Sequence, residues 1–180
     1  VLFDERGVFM TEPTQAAVSR RLAAEKRYVV SGYYGSLPDG SIKTFSRGGS
    51  DITGAIVARG VAADIYENWT DVSGLLMADP RIVKNPKKIT TITYRELREL
   101  AYMGATVLHD EAIFPVRESG IPVNIRNTND PDEPGSMIVR GNGEERLPHT
   151  GQITGVAGRK GFSIIAIEKT KHPTPRTAVC

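Results

Sequence analysis

Apolar and polar positions along the 180 residues switch repeatedly between helical and strand periods. Residues 11–27 carry helical spacing at Ala17, Val18, Arg21 and Leu22, with Thr11 or Thr14 as the cap and Pro13 in the first turn. Tyr28 to Tyr34 reads as a strand centred on Val29 and Val30; Pro38-Asp39-Gly40 is a turn, and Ser41 to Phe45 returns as a second strand. Ile52, Ala55, Ile56, Arg59 and Ala63 then lie along one side of a helix, and Ala63 to Trp69 forms a short strand. Residues 75–88, LLMADPRIVKNPKK, keep no period and contain two prolines, which marks a long excursion between elements. Thr93 and Glu96 form a capping box opening a helix from Tyr94 to Met103, with Gly104 as its end. A further helical piece at 110–119 is interrupted by Pro115 and closed by Gly120. Ile121 to Arg126 alternates as a strand, 127–135 is turn chemistry, and Ser136 to Val139 is another strand. The polar, glycine-containing stretch 140–150 reads as a linker, and 153–169 as strand, Gly-rich turn, strand.

Strands alternating with helices predict an α/β fold with parallel members in its sheet. Ligands in such sheets bind beyond the carboxyl ends of strands. The loop after Phe45 and the loop after Trp69 both follow predicted strands, so they are expected to face one crevice.

Composition narrows the classes. There are 23 basic and 21 acidic residues, a formal charge of +2, and KNPKK at 84–88 is the longest one-sided run. A basic footprint for nucleic acid is therefore missing, and KNPKK reads as a solvated turn. No apolar stretch approaches the roughly 18 residues that a membrane span requires. Cys180 is the single cysteine, so no internal disulfide forms, in keeping with a reducing, cytoplasmic setting. Val1-Leu2-Phe3 enters in the middle of an apolar run and KHPTPRTAVC has no periodicity, which leads us to expect part of a longer protein.

The richest candidate chemistry lies in FSRGGSDITGAIVA, 45–58. Arg47 offers a fixed fork of donors for carboxylate or phosphate oxygens. Gly48 and Gly49 permit close backbone approach, and Ser50 and Asp51 are good N-cap residues. Such a turn aims free N–H groups and the positive end of a helix dipole at an anion, with Asp51 able to orient a cationic group. An ordinary capped loop accounts for the same residues equally well.

The strings FSRGGSDITGAIVA, ENWTDVSGLLMADPRIV, ELAYMGATVLH and NTNDPDEPGSMIV, in this order and spacing, resemble the aspartate kinases of the amino-acid kinase family. The resemblance covers roughly Tyr28 to Val139, and ITGVAGRKGFSIIAIEK resembles the opening of the ACT regulatory domain that follows the kinase domain there. It implies a three-layer α/β sandwich with a mainly parallel sheet (the C-terminal half of the kinase domain, residues 1–140), a linker at 141–150, and the first strands of an α+β ACT domain at 151–180. It implies ATP-dependent phosphorylation of the side-chain carboxylate of L-aspartate, with Mg²⁺ bridging phosphates. In that reading Tyr33, Arg47, Gly48, Gly49 and Ser50 hold aspartate, and Asp51 fixes its amino group or the catalytic constellation. Thr70, Asp71, Leu76, Arg81, Thr106 and Val107 belong to the nucleotide side. The resemblance further implies a homodimer through ACT domains and a feedback amino acid, lysine or threonine, bound there; no nucleic acid or membrane partner is expected.

The sequence also departs from the family. Thr106 stands where a lysine is usual, and Leu76 where an aromatic is frequent. The N-terminal Lys-Phe-Gly-Gly type motif with its catalytic lysine, and the acidic substrate residue after it, are not among these residues, so the chain alone is expected to be inactive. Another enzyme of the same family and a catalytically silent nucleotide-binding module are the alternatives. Trp69 is assigned to the core, His109 to a structural hydrogen bond, and Asp79-Pro80-Arg81 alternatively to an internally salt-bridged turn. His149 and His172 carry no metal-ligand spacing.

Overall fold

The computed structural model describes residues 1–22, 27–102, 110–141 and 153–158. Helix α1 (Thr11–Arg21) is followed by the hairpin β1 (Tyr34–Ser36) and β2 (Ile42–Thr44), then by α2 (Gly49–Gly60) and β3 (Tyr66–Thr70). Two short strands, β4 (Leu75–Leu76) and β5 (Lys88–Ile89), bracket the excursion. The chain continues through β6 (Thr91–Thr93), α3 (Tyr94–Tyr102), a 3-10 turn at Asp110–Ile113, α4 (Phe114–Ser119), β7 (Val123–Asn127) and β8 (Ser136–Val139). No helix among the described residues is long and apolar enough to cross a membrane.

The main sheet has the order β3-β7-β8-β6. The β3–β7 and β6–β8 pairs are parallel and β7–β8 is antiparallel, so the sheet is mainly parallel, as expected. Register decides its faces. Val123 lies opposite Ile138, which lies opposite Ile92, and with Ile125 all four are completely buried. Ala55 and Ile56 of α2 and Val116 of α4 are equally buried, and each fully buried Ile or Val side chain contributes about 1.5–3 kcal/mol of transfer free energy. Side chains alternate along β3, so Tyr66, Asn68 and Thr70 share one face while Glu67 and Trp69 share the other.

The capping box is present: the Thr93 N–H and hydroxyl donate to Glu96 Oε2, and the Glu96 N–H returns to Thr93 Oγ1. The hairpin turn is present too, with Asp39 accepting from the Ser41 N–H and hydroxyl. These hydrogen bonds hold the Asp39 carboxyl below the usual carboxylate range.

Several expectations need correction. The strand does not span 28–34; it starts at Tyr34, and Val29 is fully exposed. Among the described residues no strand pairs with 28–32, and β-propensity without a ladder partner does not fix a strand. The α1 N-cap is Met10; Thr14 instead accepts from the Leu2 N–H and is buried in that contact. Pro115 does not interrupt a helix but sits in the first turn of α4, where its missing N–H has no intrahelical acceptor to lose. The excursion is closed at its base, because Leu75 pairs with Ile89 and the Met77 N–H donates to the Lys87 carbonyl. Gly104, most of the linker at 141–150 and all but 153–158 of the final segment lie outside the described residues.

Candidate active site

Arg47 is exposed in the turn joining β2 to α2. The hairpin that delivers it is a separate two-stranded sheet, so the two candidate loops do not both extend strands of one sheet. The first turn of α2 is tied instead to the middle of β3. Neither Ser50 nor Asp51 caps α2: the N-cap is Gly48, in a left-handed conformation (φ 59°), and no side chain closes the helix start. A residue with a Cβ would be strained at Gly48. The first-turn N–H groups of Gly49, Ser50 and Asp51 consequently keep no intrahelical acceptor.

Tyr33 closes the other side of this turn. Its backbone is left-handed (φ 81°), a strained state for an aromatic residue. Two hydrogen bonds hold it, and a third fixes Thr53. The Tyr33 N–H donates to Thr53 Oγ1 at 3.1 Å, the Phe45 N–H donates to the Tyr33 carbonyl at 3.0 Å, and Thr53 Oγ1 donates to the Gly49 carbonyl at 2.7 Å. Gly49 lies so close that a Cβ there would stand 2.7 Å from the Tyr33 ring. Phe45 is itself anchored, packing against Phe3 and Phe9 at ring separations of 5.3 and 6.4 Å.

The helix start is tied to β3 through Asp51. Asn68 Nδ2 donates to Asp51 Oδ1 at 3.0 Å and to the Tyr66 hydroxyl at 3.1 Å, while the Tyr66 hydroxyl donates to the Asp51 carbonyl at 3.3 Å. Burial pushes the Tyr66 hydroxyl up from its ordinary pKa, with the Asn68 hydrogen bond opposing and the Asp51 charge adding to the rise. Two residues beyond Asn68, Thr70 ends the strand on the same face and its hydroxyl donates to Asp71 Oδ1. The start of α2 is therefore tied to the middle of β3, two residues before Thr70.

The loop after β3 is held by Ser136, Asn127 and Thr128. Ser136 Oγ accepts from the Leu75 N–H and donates to the Ile89 carbonyl. Asn127 Nδ2 donates to Ser73 Oγ, and the Thr128 N–H and hydroxyl both donate to the Thr70 carbonyl. Leu76 sits in β4, half-buried. At the far end of the excursion Arg81 makes a forked ion pair with Asp79 (2.6 Å at the closest approach), the salt-bridged turn named as an alternative. That pairing holds the Asp79 carboxyl below, and the Arg81 guanidinium above, their usual ranges. The Arg81 side chain is largely exposed and remains accessible to a competing anion. Thr106, Val107, His109, His149 and His172 lie outside the described residues.

Trp69 is not core. It faces away from α2, is 43% exposed, and stacks under the Arg126 guanidinium at 4.7 Å while donating to Glu67. Strand parity carried the signal, since a five-residue strand with Asn68 inward turns Trp69 outward. A cleft of about 390 Å³ lined by Arg59, Asp64, Ser119 and Ile121 lies at the opposite, amino end of β3 and β7, away from these loops. The roles of Asn68, Thr53 and Ser136 were not legible in the sequence.

Comparison with known proteins places this geometry. The Amino acid kinase family matches residues 5–127. Aspartokinase 3 of Bacillus subtilis is 47% identical over 141 residues, covering 78% of this chain and 30% of that protein. The crystal structure of the Clostridium acetobutylicum aspartate kinase superimposes with a TM-score of 0.80 at 55% identity, over 87% of this chain and 35% of that one. The Escherichia coli aspartokinase III complex with aspartate and ADP superimposes with a TM-score of 0.56 at 38% identity, over 62% of this chain and 25% of that one. The chain thus spans about a third or less of the length of these relatives. With residues 5–127 matched and a mainly parallel sheet, the chain belongs to the amino acid kinase family.

Proposed function

We propose that the chain is the nucleotide-binding portion and part of the substrate site of an aspartate kinase, which transfers the γ-phosphoryl group of ATP to the side-chain carboxylate of L-aspartate. The product, 4-phospho-L-aspartate, opens the route to lysine, threonine and methionine. The observation that carries the reading is the Asn68–Asp51 hydrogen bond, 3.0 Å, which ties the RGGSD turn to the strand ending in Thr70-Asp71. The relation to aspartokinase III, whose structure contains aspartate and ADP, supports the choice of ligands.

The chemistry asks for positioning and charge neutralisation more than for a strong base, because two anions must meet. Arg47 grips a carboxylate of aspartate, the N–H groups of Gly49 and Ser50 (freed by the left-handed Gly48) face its oxygens, and Tyr33 walls the pocket. Asp51 holds the substrate amino group, or the groups around the reacting oxygen. Thr70, Asp71 and Leu76 take the nucleoside, Thr106 and Val107 extend that side, and Arg81 exchanges Asp79 for phosphate oxygens. No group of three or more His, Cys, Asp or Glu among the described residues forms a metal cage. Asp51 or Asp71 would hold Mg²⁺ together with substrate phosphates, since this ion is commonly bound by one or two carboxylates plus phosphates. When bound, Mg²⁺ supplies charge neutralisation at those phosphates.

We further propose the division 1–140 kinase portion, 141–150 linker and 151–180 ACT opening, with dimerisation and feedback by lysine or threonine through ACT domains, in the cytoplasm. Aspartokinase III, crystallised with lysine and aspartate, supports the feedback ligand.

The test is hydroxylamine trapping of the acyl phosphate, run on the complete polypeptide that contains this chain and on the chain alone. ATP with aspartate, but not glutamate, is expected to give hydroxamate for the complete polypeptide only. Hydroxamate from another carboxylate substrate points to a sister enzyme of the family. ATP binding without hydroxamate identifies a silent nucleotide-binding module.

A further inference from the structure

We propose that Asn68 is a positioning residue: it draws the Asp51 carboxylate away from the start of its own helix and so keeps the first-turn N–H groups of α2 open for an amino-acid carboxylate. The inference rests on the reading of the Arg47–Asp51 turn as the aspartate side of the site.

Asp51 is the third residue of α2, and its side chain is short and anionic. A carboxylate there is attracted by the unpaired N–H groups and positive dipole of its own helix end, and would occupy the place an anionic ligand needs. It does not do so: α2 has no side-chain cap, and Asp51 Oδ1 is engaged by Asn68 Nδ2 at 3.0 Å. Asn68 is only 9% exposed on a strand whose neighbouring inward positions, Val123 and Ile125 of β7, are completely buried and aliphatic. A buried amide in such surroundings is retained only where its hydrogen bonds are made, and both of its donor contacts lead to the Tyr66–Asp51 pair. The backbone is held as well, by the Tyr66 hydroxyl on the Asp51 carbonyl, with Gly54 letting the helix lie directly over Tyr66. Asn68 also stands two residues before Thr70, so one strand carries the support for the amino-acid turn and the entry to the nucleotide loop.

Two alternatives make different predictions. If Asn68 only stiffens β3, its loss disturbs the Thr70-Asp71 loop and raises the KM for ATP at least as much as that for aspartate. If it acts through Asp51, the loss falls on aspartate.

The experiment uses the complete polypeptide with Asn68→Leu, which keeps bulk without a donor, Asn68→Ser, a smaller polar replacement that cannot reach Asp51, and Asp51→Asn combined with each. Either single variant is expected to raise the KM for aspartate about tenfold, the effect of losing one hydrogen bond to a charged group, with the KM for ATP within about twofold. In the Asp51→Asn background the same changes add nothing further to the KM for aspartate, because a neutral amide at 51 is no longer drawn to the positive helix start, although it still accepts from Asn68. Equal rises in both KM values, unchanged KM values, or full additivity with Asp51→Asn overturn the inference and leave the site reading standing. A wild-type protein that never saturates with aspartate overturns both.

Discussion

Ser136→Ala tests how the nucleotide side is held. The Ser136 side chain is completely buried, and its single hydroxyl links the two ends of the excursion. It accepts from the Leu75 N–H at 2.8 Å and donates to the Ile89 carbonyl, while Leu75 and Ile89 also pair with each other. Gly74 approaches so closely that a Cβ there would clash with Ser136 Oγ. Removing the hydroxyl takes one hydrogen-bond partner from the Leu75 N–H and one from the Ile89 carbonyl, beside residues only 4% and 5% exposed. Each hydrogen bond lost is worth about 0.5–1.5 kcal/mol. We therefore expect Ser136→Ala to lose about 1–3 kcal/mol, a sizeable part of the roughly 5–15 kcal/mol of a typical domain. Urea unfolding should show a lower midpoint at unchanged slope. Binding should separate the two half-sites, with ADP affinity falling more than aspartate affinity, since Leu76 and Arg81 lie between the two tethered ends. A loss under about 0.5 kcal/mol, the range of unremarkable surface substitutions, would refute the reasoning.

Two further predictions follow from groups outside the loop. Thr53→Val removes the acceptor of the Tyr33 N–H, and should cost about 1–2 kcal/mol in unfolding experiments and raise the KM for aspartate, while Thr53→Ser keeps both near wild type. Tyr94, buried with its hydroxyl donating to the Ile121 carbonyl, has its pKa pushed up to about 12 by desolvation. The folded state then holds this proton more firmly than the unfolded chain, whose tyrosines titrate near 10, so the stabilisation is full below about pH 10 and is lost as pH rises toward about 12. Unfolding free energies measured from pH 9 to 11.5 should fall less steeply in Tyr94→Phe than in wild type, and parallel profiles would rule this out.

Local signals in the sequence carried the elements whose stability is local. The Thr93–Glu96 box and the Pro38-Asp39-Gly40 turn depend on contacts within a few residues, and each is present. Elements needing distant partners were misplaced. Val29 and Val30 have strand propensity but no strand beside them among the described residues, and the strand begins instead where Tyr34 meets Thr44. Helix capping was misassigned because a left-handed Gly48 starts α2, a choice of backbone conformation that Ser50 and Asp51 do not announce. At the site, the residues with charge or hydroxyls close to the turn were readable from type and order. Asn68, Thr53 and Ser136 were not, since an isolated polar residue in a strand or helix gains meaning only from what lies across the fold. Trp69 followed the same logic in reverse: hydrophobicity suggested the core, and strand parity with Arg126 overhead placed it outside.

The central claim is that an amino-acid half-site at Arg47–Asp51 and a nucleotide half-site at Thr70-Asp71 converge at one end of β3. Steady-state kinetics of the complete polypeptide carrying Arg47→Ala or Asp71→Ala test it most directly. The account predicts a crossover, with Arg47→Ala raising the KM for aspartate far more than that for ATP, and Asp71→Ala doing the reverse. Equal effects of each substitution on both KM values would contradict it.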